Sequence, residues 1–101
     1  MEINLIKHEG DAELKLIGFI DASNAADVEK ILVDVAQKFE NLTFDMEKLD
    51  YVSSAGLRAF KRVYMEIRRS GGSLYAKNVN NSILEVLELT GFTRLFKFIQ
   101  E

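Results

Sequence analysis

The feature that most constrains the fold is a strand pattern followed by a helix pattern, which occurs three times along the chain. The strands are predicted over residues 13–20, over residues 42–46 and around Leu74 and Ala76. Behind each strand, side chains recur at the three- and four-residue spacing of an amphipathic helix. This repetition predicts parallel strands joined by right-handed crossovers. The helical positions are Ala25, Val28, Leu32, Val35, Ala36 and Phe39, then Leu57, Phe60, Val63, Tyr64 and Ile67, then Ile83, Val86, Leu87 and Thr90.

The two ends of the chain add further strands. Residues 3–7 form a strand pattern that the short polar segment 8–11, containing Gly10, separates from residues 13–20. A turn of this kind predicts an antiparallel hairpin. Phe96 and Phe98 alternate with Lys97 in a last short strand, and residues 47–50 are predicted to form a turn.

Polar residues and glycines mark the predicted helix ends. Ser23 and Asn24 offer capping side chains for the first helix, and Ser82 with Glu85 forms a capping-box pattern before the third. Glycines then predict where two helices stop: Gly71 and Gly72 after the second, and Gly91 after the third.

The alternation in the later strands predicts which side of the sheet is covered. Parallel strands that are buried on both faces usually read as unbroken apolar runs, whereas these strands place polar side chains on one face. We therefore expect an α/β fold in one domain, residues 1–101. Its sheet is mixed and mostly parallel, with an N-terminal antiparallel strand pair, and its helices pack mainly on one face.

Composition excludes several functional classes. The 101 residues include no cysteine, so disulfides, thiolate catalysis and Cys-based zinc sites are excluded. The net charge of −3 gives no reason to expect nucleic-acid binding. No apolar run is long enough to insert into a membrane, and no signal peptide is evident. We expect a cytoplasmic protein that is not an enzyme and that needs no cofactor and no metal.

The most informative segment is the one that connects residues 42–46 to the second helix. It contains Ser53 and Ser54, followed by the small residues Ala55 and Gly56 and by Leu57, the first apolar residue of the helix. Either serine can cap this helix. An exposed serine at a helix N-terminus is also a favourable place for a phosphate, because free N–H groups and the helix dipole stabilise its charge. Local chemistry alone leaves both roles open.

This segment resembles the signature loop of the STAS domain family, found in anti-sigma factor antagonists and in the tails of sulfate transporters. The resemblance extends over residues 18–23, from Gly18 to Ser23, and over the C-terminal third from Gly71 to Phe92. It implies that Ser54 is the phosphorylated residue, with Ser53 the next candidate. Two positions depart from the family pattern: Ser53 replaces an acidic residue, and Ala55 replaces a residue with a hydroxyl group.

The resemblance also implies a bacterial regulatory function. The chain would bind and sequester an anti-sigma factor serine kinase, phosphorylation at Ser54 would release it, and a serine phosphatase would reset it. An alternative is a STAS subunit of a multiprotein lipid-transport or stress-signalling assembly that is not phosphorylated. The expected partner-binding residues are Asp21, Ser23, Ser53, Ser54, Ala55 and Gly56.

Overall fold

The computed structural model describes residues 1–100, which form one mixed sheet with three α-helices and a single 3-10 helix. None of the helices in this range is long and apolar enough to cross a membrane. In chain order, the elements are β1 (Glu2–His8), β2 (Asp11–Ile20), α1 (Ala25–Ala36), β3 (Asn41–Asp45), β4 (Leu49–Val52), α2 (Ser54–Arg69), β5 (Leu74–Lys77), α3 (Asn81–Thr90), the 3-10 helix (Phe92–Leu95) and β6 (Lys97–Ile99).

The sheet has the strand order β1-β2-β3-β5-β6, and β4 pairs with the distal part of β2. Among the strand pairs within residues 1–100, β1–β2 is antiparallel and the others are parallel. The helices α1, α2 and α3 provide the crossovers between parallel neighbours. The predicted α/β class and the mostly parallel sheet with an N-terminal antiparallel pair are confirmed.

The prediction for residues 47–50 is wrong in part, because Leu49–Val52 is the strand β4. The turn consists of Glu47 and Lys48 alone. After it, β4 pairs with the part of β2 that lies beyond the end of β3. Strand β2 accommodates two successive neighbours with an irregular register after Gly18, whose φ is +112°. Glycine tolerates this backbone conformation at little cost, whereas most residues do not.

The buried face of the sheet carries the helices, as predicted. Alternate side chains of β2, β3 and β5 join the helices in one core cluster, while their neighbours in sequence lie on the opposite face. On that open face, Lys77 Nζ lies 2.9 Å from Glu13 Oε1. The centre of the core holds Phe44, Phe60 and Phe96, with ring centroids 5.3 to 5.9 Å apart.

The helix ends agree with the glycine predictions better than with the predicted caps. Gly71 N–H donates to Arg68 O and Gly72 N–H donates to Ile67 O, which closes α2, and Gly91 closes α3 with φ +77°. The capping box at Ser82 is wrong, because α3 begins two residues earlier with Asn80 as its cap.

Three further details differ from the sequence predictions. Helix α1 ends at Ala36, so Phe39 packs on the core from the following loop. Asn24 is the N-cap of α1, but its side chain makes no capping hydrogen bond. The last strand begins at Lys97, because Phe96 follows directly on the 3-10 helix that the sequence patterns did not predict.

Candidate functional site

Ser53 and Ser54 lie where β4 passes directly into α2, and the backbone gives the two serines different roles. Ser53 has an extended conformation, with φ −86° and ψ 175°, and is the N-cap of α2. Its Oγ accepts a hydrogen bond from Gly56 N–H at 3.2 Å, and its carbonyl accepts one from Leu57 N–H at 2.9 Å. Its own N–H donates to Ile20 O at 2.9 Å. The half-buried Ser53 is therefore tied to both β2 and α2.

Ser54 is the first residue of the 16-residue helix α2, and it is exposed. Its hydroxyl takes part in none of the hydrogen bonds formed within residues 1–100. The first N–H groups of a helix lack intrahelical partners and carry the positive end of the dipole. The Ser54 hydroxyl is thus exposed, and the side-chain cap of α2 does not depend on it.

Gly56 sets the position of this helix start. It is buried, and a Cβ atom there would lie 2.6 Å from Val52 Cγ2 and 2.9 Å from Ile20 Cγ2. Both contacts involve β-branched side chains, which have little rotamer freedom to move aside. The absence of a side chain at Gly56 therefore lets α2 begin directly on the ends of β2 and β4.

The turn after β2 lies beside this segment, because Asp21 directly follows the residue whose carbonyl binds Ser53. The Asp21 carboxylate accepts hydrogen bonds from the Ser23 hydroxyl and from the Ser23 N–H. The hydrogen bond from the Ser23 hydroxyl, followed by that from the Ser23 N–H, lowers the pKa of the Asp21 carboxyl from its ordinary value. Like other aspartates, Asp21 is negatively charged at neutral pH.

The Asn24 side chain does not cap α1 because it forms hydrogen bonds within the turn. Its Oδ1 accepts from Asp21 N–H and its Nδ2 donates to Phe19 O, both at 2.9 Å. Instead, the Asp21 carbonyl accepts from Ala25 N–H at the helix start. The side chains of the turn are used to fix the end of β2 next to Ser53.

The structure therefore brings together the segments that contain all six predicted partner-binding residues. Ser23 and Ser54 are exposed, Asp21, Ser53 and Ala55 are half-buried, and Gly56 is buried. Ala55 packs against the hydrophobic core. That these residues contact a partner remains a prediction.

Sequence reasoning missed two aromatic residues at this end of the sheet. Phe19 and Tyr51 are direct neighbours in the β2–β4 pairing, and they are 45% and 54% exposed. Phe19 alternates with the buried Ile20, so its exposure could have been read from the sequence. The exposure of Tyr51 follows from β4, a strand that the sequence pattern does not predict.

Basic side chains follow Ser54 along the exposed side of α2. Arg58, Lys61 and Arg62 are all exposed and lie four, seven and eight residues after it, the spacing that places side chains on one face of a helix. Arg58 is one helical turn from Ser54, so a negative charge on Ser54 would gain a favourable interaction with it.

No metal site accompanies this arrangement in the part of the chain that the structure describes. Within residues 1–100, no group of three His, Cys, Asp or Glu side chains could hold an ion. Asp45, at the end of β3, is buried and accepts hydrogen bonds from Glu47 N–H and Asn78 Nδ2. Its position is explained by the turn that it stabilises.

The family model of the STAS domain matches residues 2–101. The chain belongs to the STAS domain family. A Bordetella bronchiseptica protein named as an anti-sigma factor antagonist, BtrV, is 32% identical over 97 residues, which cover 95% of this chain and 84% of that protein.

Solved structures share the fold of this STAS domain. An anti-sigma factor antagonist from Thermotoga maritima superposes with a TM-score of 0.88 at 18% identity, over 98% of this chain and 86% of that one. The Bacillus cell fate determinant SpoIIAA, in its phosphorylated form, superposes with a TM-score of 0.75 at 14% identity, over 99% of this chain and 93% of that one. At these identities, the likeness shows the fold alone.

Proposed function

We propose that this STAS domain is an anti-sigma factor antagonist, which sequesters an anti-sigma factor serine kinase and releases it when Ser54 is phosphorylated. The name of the Bordetella relative supports the general function. The solved phosphorylated form of SpoIIAA supports the idea that this fold accepts a phosphate. Modification of Ser54 and binding to a kinase are proposals for this chain.

The observation that carries the proposal is the division of roles between the two serines. Ser53 uses its hydroxyl to cap α2, whereas the Ser54 hydroxyl is exposed and takes part in no hydrogen bond within residues 1–100. Where the family pattern has an acidic residue, Ser53 serves the same capping purpose, since serine and aspartate are both good N-caps. This departure from the pattern therefore leaves the neighbouring serine available for modification.

In the proposed reaction this chain is the substrate and not the catalyst. The Ser54 Oγ attacks the γ-phosphorus of ATP bound to the kinase, and the bond between the γ-phosphorus and the β-phosphate oxygen breaks. ADP leaves, and a base of the kinase accepts the hydroxyl proton. A serine phosphatase then hydrolyses the phosphoserine with water, which restores the hydroxyl and yields inorganic phosphate.

The partner would bind a docking surface that we define as Phe19, Asp21, Ser23, Tyr51 and Ser54. Three residues of chain span at most about 11 Å, so Tyr51 and Ser54 fall within one contact patch. Exposed aromatic side chains supply much of the binding energy in protein interfaces. The unmodified Ser54 lies beside them and adds no charge, which suits a surface that must bind in one state and dissociate in the other.

Replacement of Ser54 tests the modification site. With a lysate of the native cells and ATP labelled on its γ-phosphate, we expect Ser54→Ala to lose labelling completely. Ser53→Ala is the matched control: it removes the helix cap, costs about 1 kcal/mol of stability, and should still be labelled. Labelling of Ser54→Ala at the unmodified level, or loss of labelling only in Ser53→Ala, would show that the assignment is wrong.

Protein isolated from its native cells distinguishes this function from the alternative, in which the chain is a subunit that is not phosphorylated. Intact-mass measurement of the protein from its native cells is expected to show a fraction carrying one phosphate. Complete absence of phosphate, together with co-purification with lipid-transport subunits, would favour the alternative.

Tyr51→Ala tests the docking surface separately from the modification. We expect about a tenfold to hundredfold loss of affinity for the anti-sigma factor, because an exposed aromatic anchor is typically worth about 2 kcal/mol or more. The matched control is Leu89→Ala, which removes a 79% exposed apolar side chain from α3. Calorimetric titration with the anti-sigma factor compares the two variants. Equal affinities of Tyr51→Ala and Leu89→Ala would show that Tyr51 does not belong to the interface.

A further inference from the structure

Strand β1 forms one edge of the sheet, and its outer side is unpaired. All seven of its residues pair with β2, and the strand order begins with β1. No other strand within residues 1–100 covers it. In an edge strand, alternate N–H and C=O groups point away from the sheet and can pair with another strand.

This edge lacks most of the features that usually block strand addition. Its register with β2 is continuous and without a bulge, it is not short, and it contains no proline. Leu5 and Ile6 are 42% and 37% exposed, on opposite faces of the strand. An edge that is regular, seven residues long and partly apolar favours pairing over solvation.

The sequence of β1 allows one antiparallel register of two copies that sets an apolar residue against itself at the centre and a donor opposite an acceptor at each end. A two-fold axis perpendicular to the joined sheet keeps the helices of both copies on the same face. With this axis, the residue at the centre of the pairing lies opposite the same residue of the second copy, and Asn4, Leu5 and Ile6 are the candidates for that central residue. Centring on Leu5 places Glu2 opposite His8 of the partner subunit, which can donate a hydrogen bond to the carboxylate. Centring on Asn4 or Ile6 instead places Glu2 opposite Ile6 of the partner subunit or Lys7 opposite the partner's Leu5.

We propose that β1 pairs with β1 of a second copy of this chain, with Leu5 opposite the partner's Leu5, and so joins two sheets into one. In this register the partner's Lys7 lies opposite Ile3. Ile3 lines a groove between β1 and α1 together with Ile31 and Asp27. Asp27 is exposed, so a carboxylate stands on the side of the sheet to which the partner's Lys7 projects.

The pairing is expected to be reversible and concentration-dependent, because seven paired residues bury less area than a permanent dimer needs. It leaves the docking surface free, since β1 extends along β2 only as far as Ile17. The proposal does not depend on the proposed function of Ser54, and either can fail alone.

Sedimentation equilibrium of the full chain, loaded from about 10 µM to about 1 mM, tests the pairing. We expect a reversible monomer–dimer equilibrium that Leu5→Lys weakens at least tenfold, because two lysines would then face each other. The matched control is Phe98→Lys on β6, at the opposite edge of the sheet, where the replaced side chain is 40% exposed. This control should dimerise like the unmodified chain, and near-ultraviolet circular dichroism verifies that both variants are folded.

A charge exchange tests the register. Glu2→Lys should weaken the dimer, because it removes the carboxylate that faces His8 of the partner subunit, and the double variant Glu2→Lys with His8→Glu should restore it, because it places a lysine opposite a glutamate. A monomer throughout the concentration range, a dimer that Phe98→Lys disrupts and Leu5→Lys does not, or a failure of the double variant to recover would each overturn the proposal.

Discussion

Gly72→Ala is expected to destabilise the domain by about 3 kcal/mol or more, a large part of the 5–15 kcal/mol that stabilises a typical domain. A Cβ atom at Gly72 would lie 1.8 Å from the backbone oxygen of Glu40 and 2.9 Å from its carbonyl carbon. A contact this short between a side chain and the backbone cannot be relieved by a change of rotamer, so one of the two chain segments must move.

Neither segment can move without breaking hydrogen bonds. Glu40 N–H donates to Gly10 O at 2.8 Å, and the next residue, Asn41, accepts from Ser73 N–H at 2.8 Å. Leu42 N–H donates to Ser73 O, where the pairing of β3 with β5 begins. Relief of the clash would therefore separate the starts of two central strands.

Gly71→Ala is the matched control, because the neighbouring glycine has the opposite difficulty. Its φ of +87° is unfavourable for alanine, but a Cβ atom there has nothing within 4 Å. We expect it to cost only about 1–2 kcal/mol of conformational strain. Urea unfolding with a common m-value measures both variants. Equal midpoints for the two would contradict the steric argument.

Two glycines thus hold α2 against the sheet at its two ends. Gly56 lets its first turn rest on Ile20 and Val52, and Gly72 lets the chain leave its last turn beside Glu40. The position of Ser54 consequently depends on long-range packing, because the first turn of α2 must fit against Ile20 as well as against Val52.

The sequence predicts this architecture well where the determinants are local and repeated. Helical spacing around Leu57, Phe60 and Val63 depends only on neighbouring residues, and the structure buries all three. Gly71 and Gly91 also act locally, because a left-handed residue ends a helix whatever lies around it.

Predictions fail where a distant segment decides the outcome. Strand β4 has four residues and no alternation, since only Leu49 and Val52 are buried, and it exists because β2 continues beyond the end of β3. Asn80 caps α3 in preference to Ser82 because its Nδ2 also donates to Leu49 O in β4. Neither interaction can be read from a window of adjacent residues.

The candidate site shows both situations. The pair of serines before a helix can be recognised from the sequence, but the choice between them depends on the bonds that link Ser53 to Ile20 and Gly56. The exposed pair of Phe19 and Tyr51 depends on the β2–β4 register. The sequence therefore indicates where the site lies, while long-range pairing decides which of its side chains are accessible.

Phosphorylation of Ser54 is expected to weaken binding to the anti-sigma factor about a hundredfold or more, which corresponds to about 3 kcal/mol. The phosphate adds a charge of about −1.5 to −2 and three acceptor oxygens beside the negatively charged Asp21. A partner surface that fits the neutral serine must then desolvate this charge or dissociate. Calorimetric titration of the phosphorylated and unmodified chains against the anti-sigma factor measures the change.

Phosphorylation of Ser54 should change the free energy of unfolding far less than it changes the affinity for the anti-sigma factor. Such a difference is expected when the phosphate acts at the binding surface and the fold is unchanged. The phosphate lies at the positive end of α2, with the exposed Arg58 one turn away, and these interactions are worth about 1 kcal/mol in the folded chain. Urea unfolding should therefore place the two forms within about 1 kcal/mol of each other, and Ser54→Ala should retain the affinity of the unmodified chain. If phosphorylation lowered affinity only by unfolding the domain, the loss of binding would track the loss of stability, and direct repulsion at the docking surface would not be the cause.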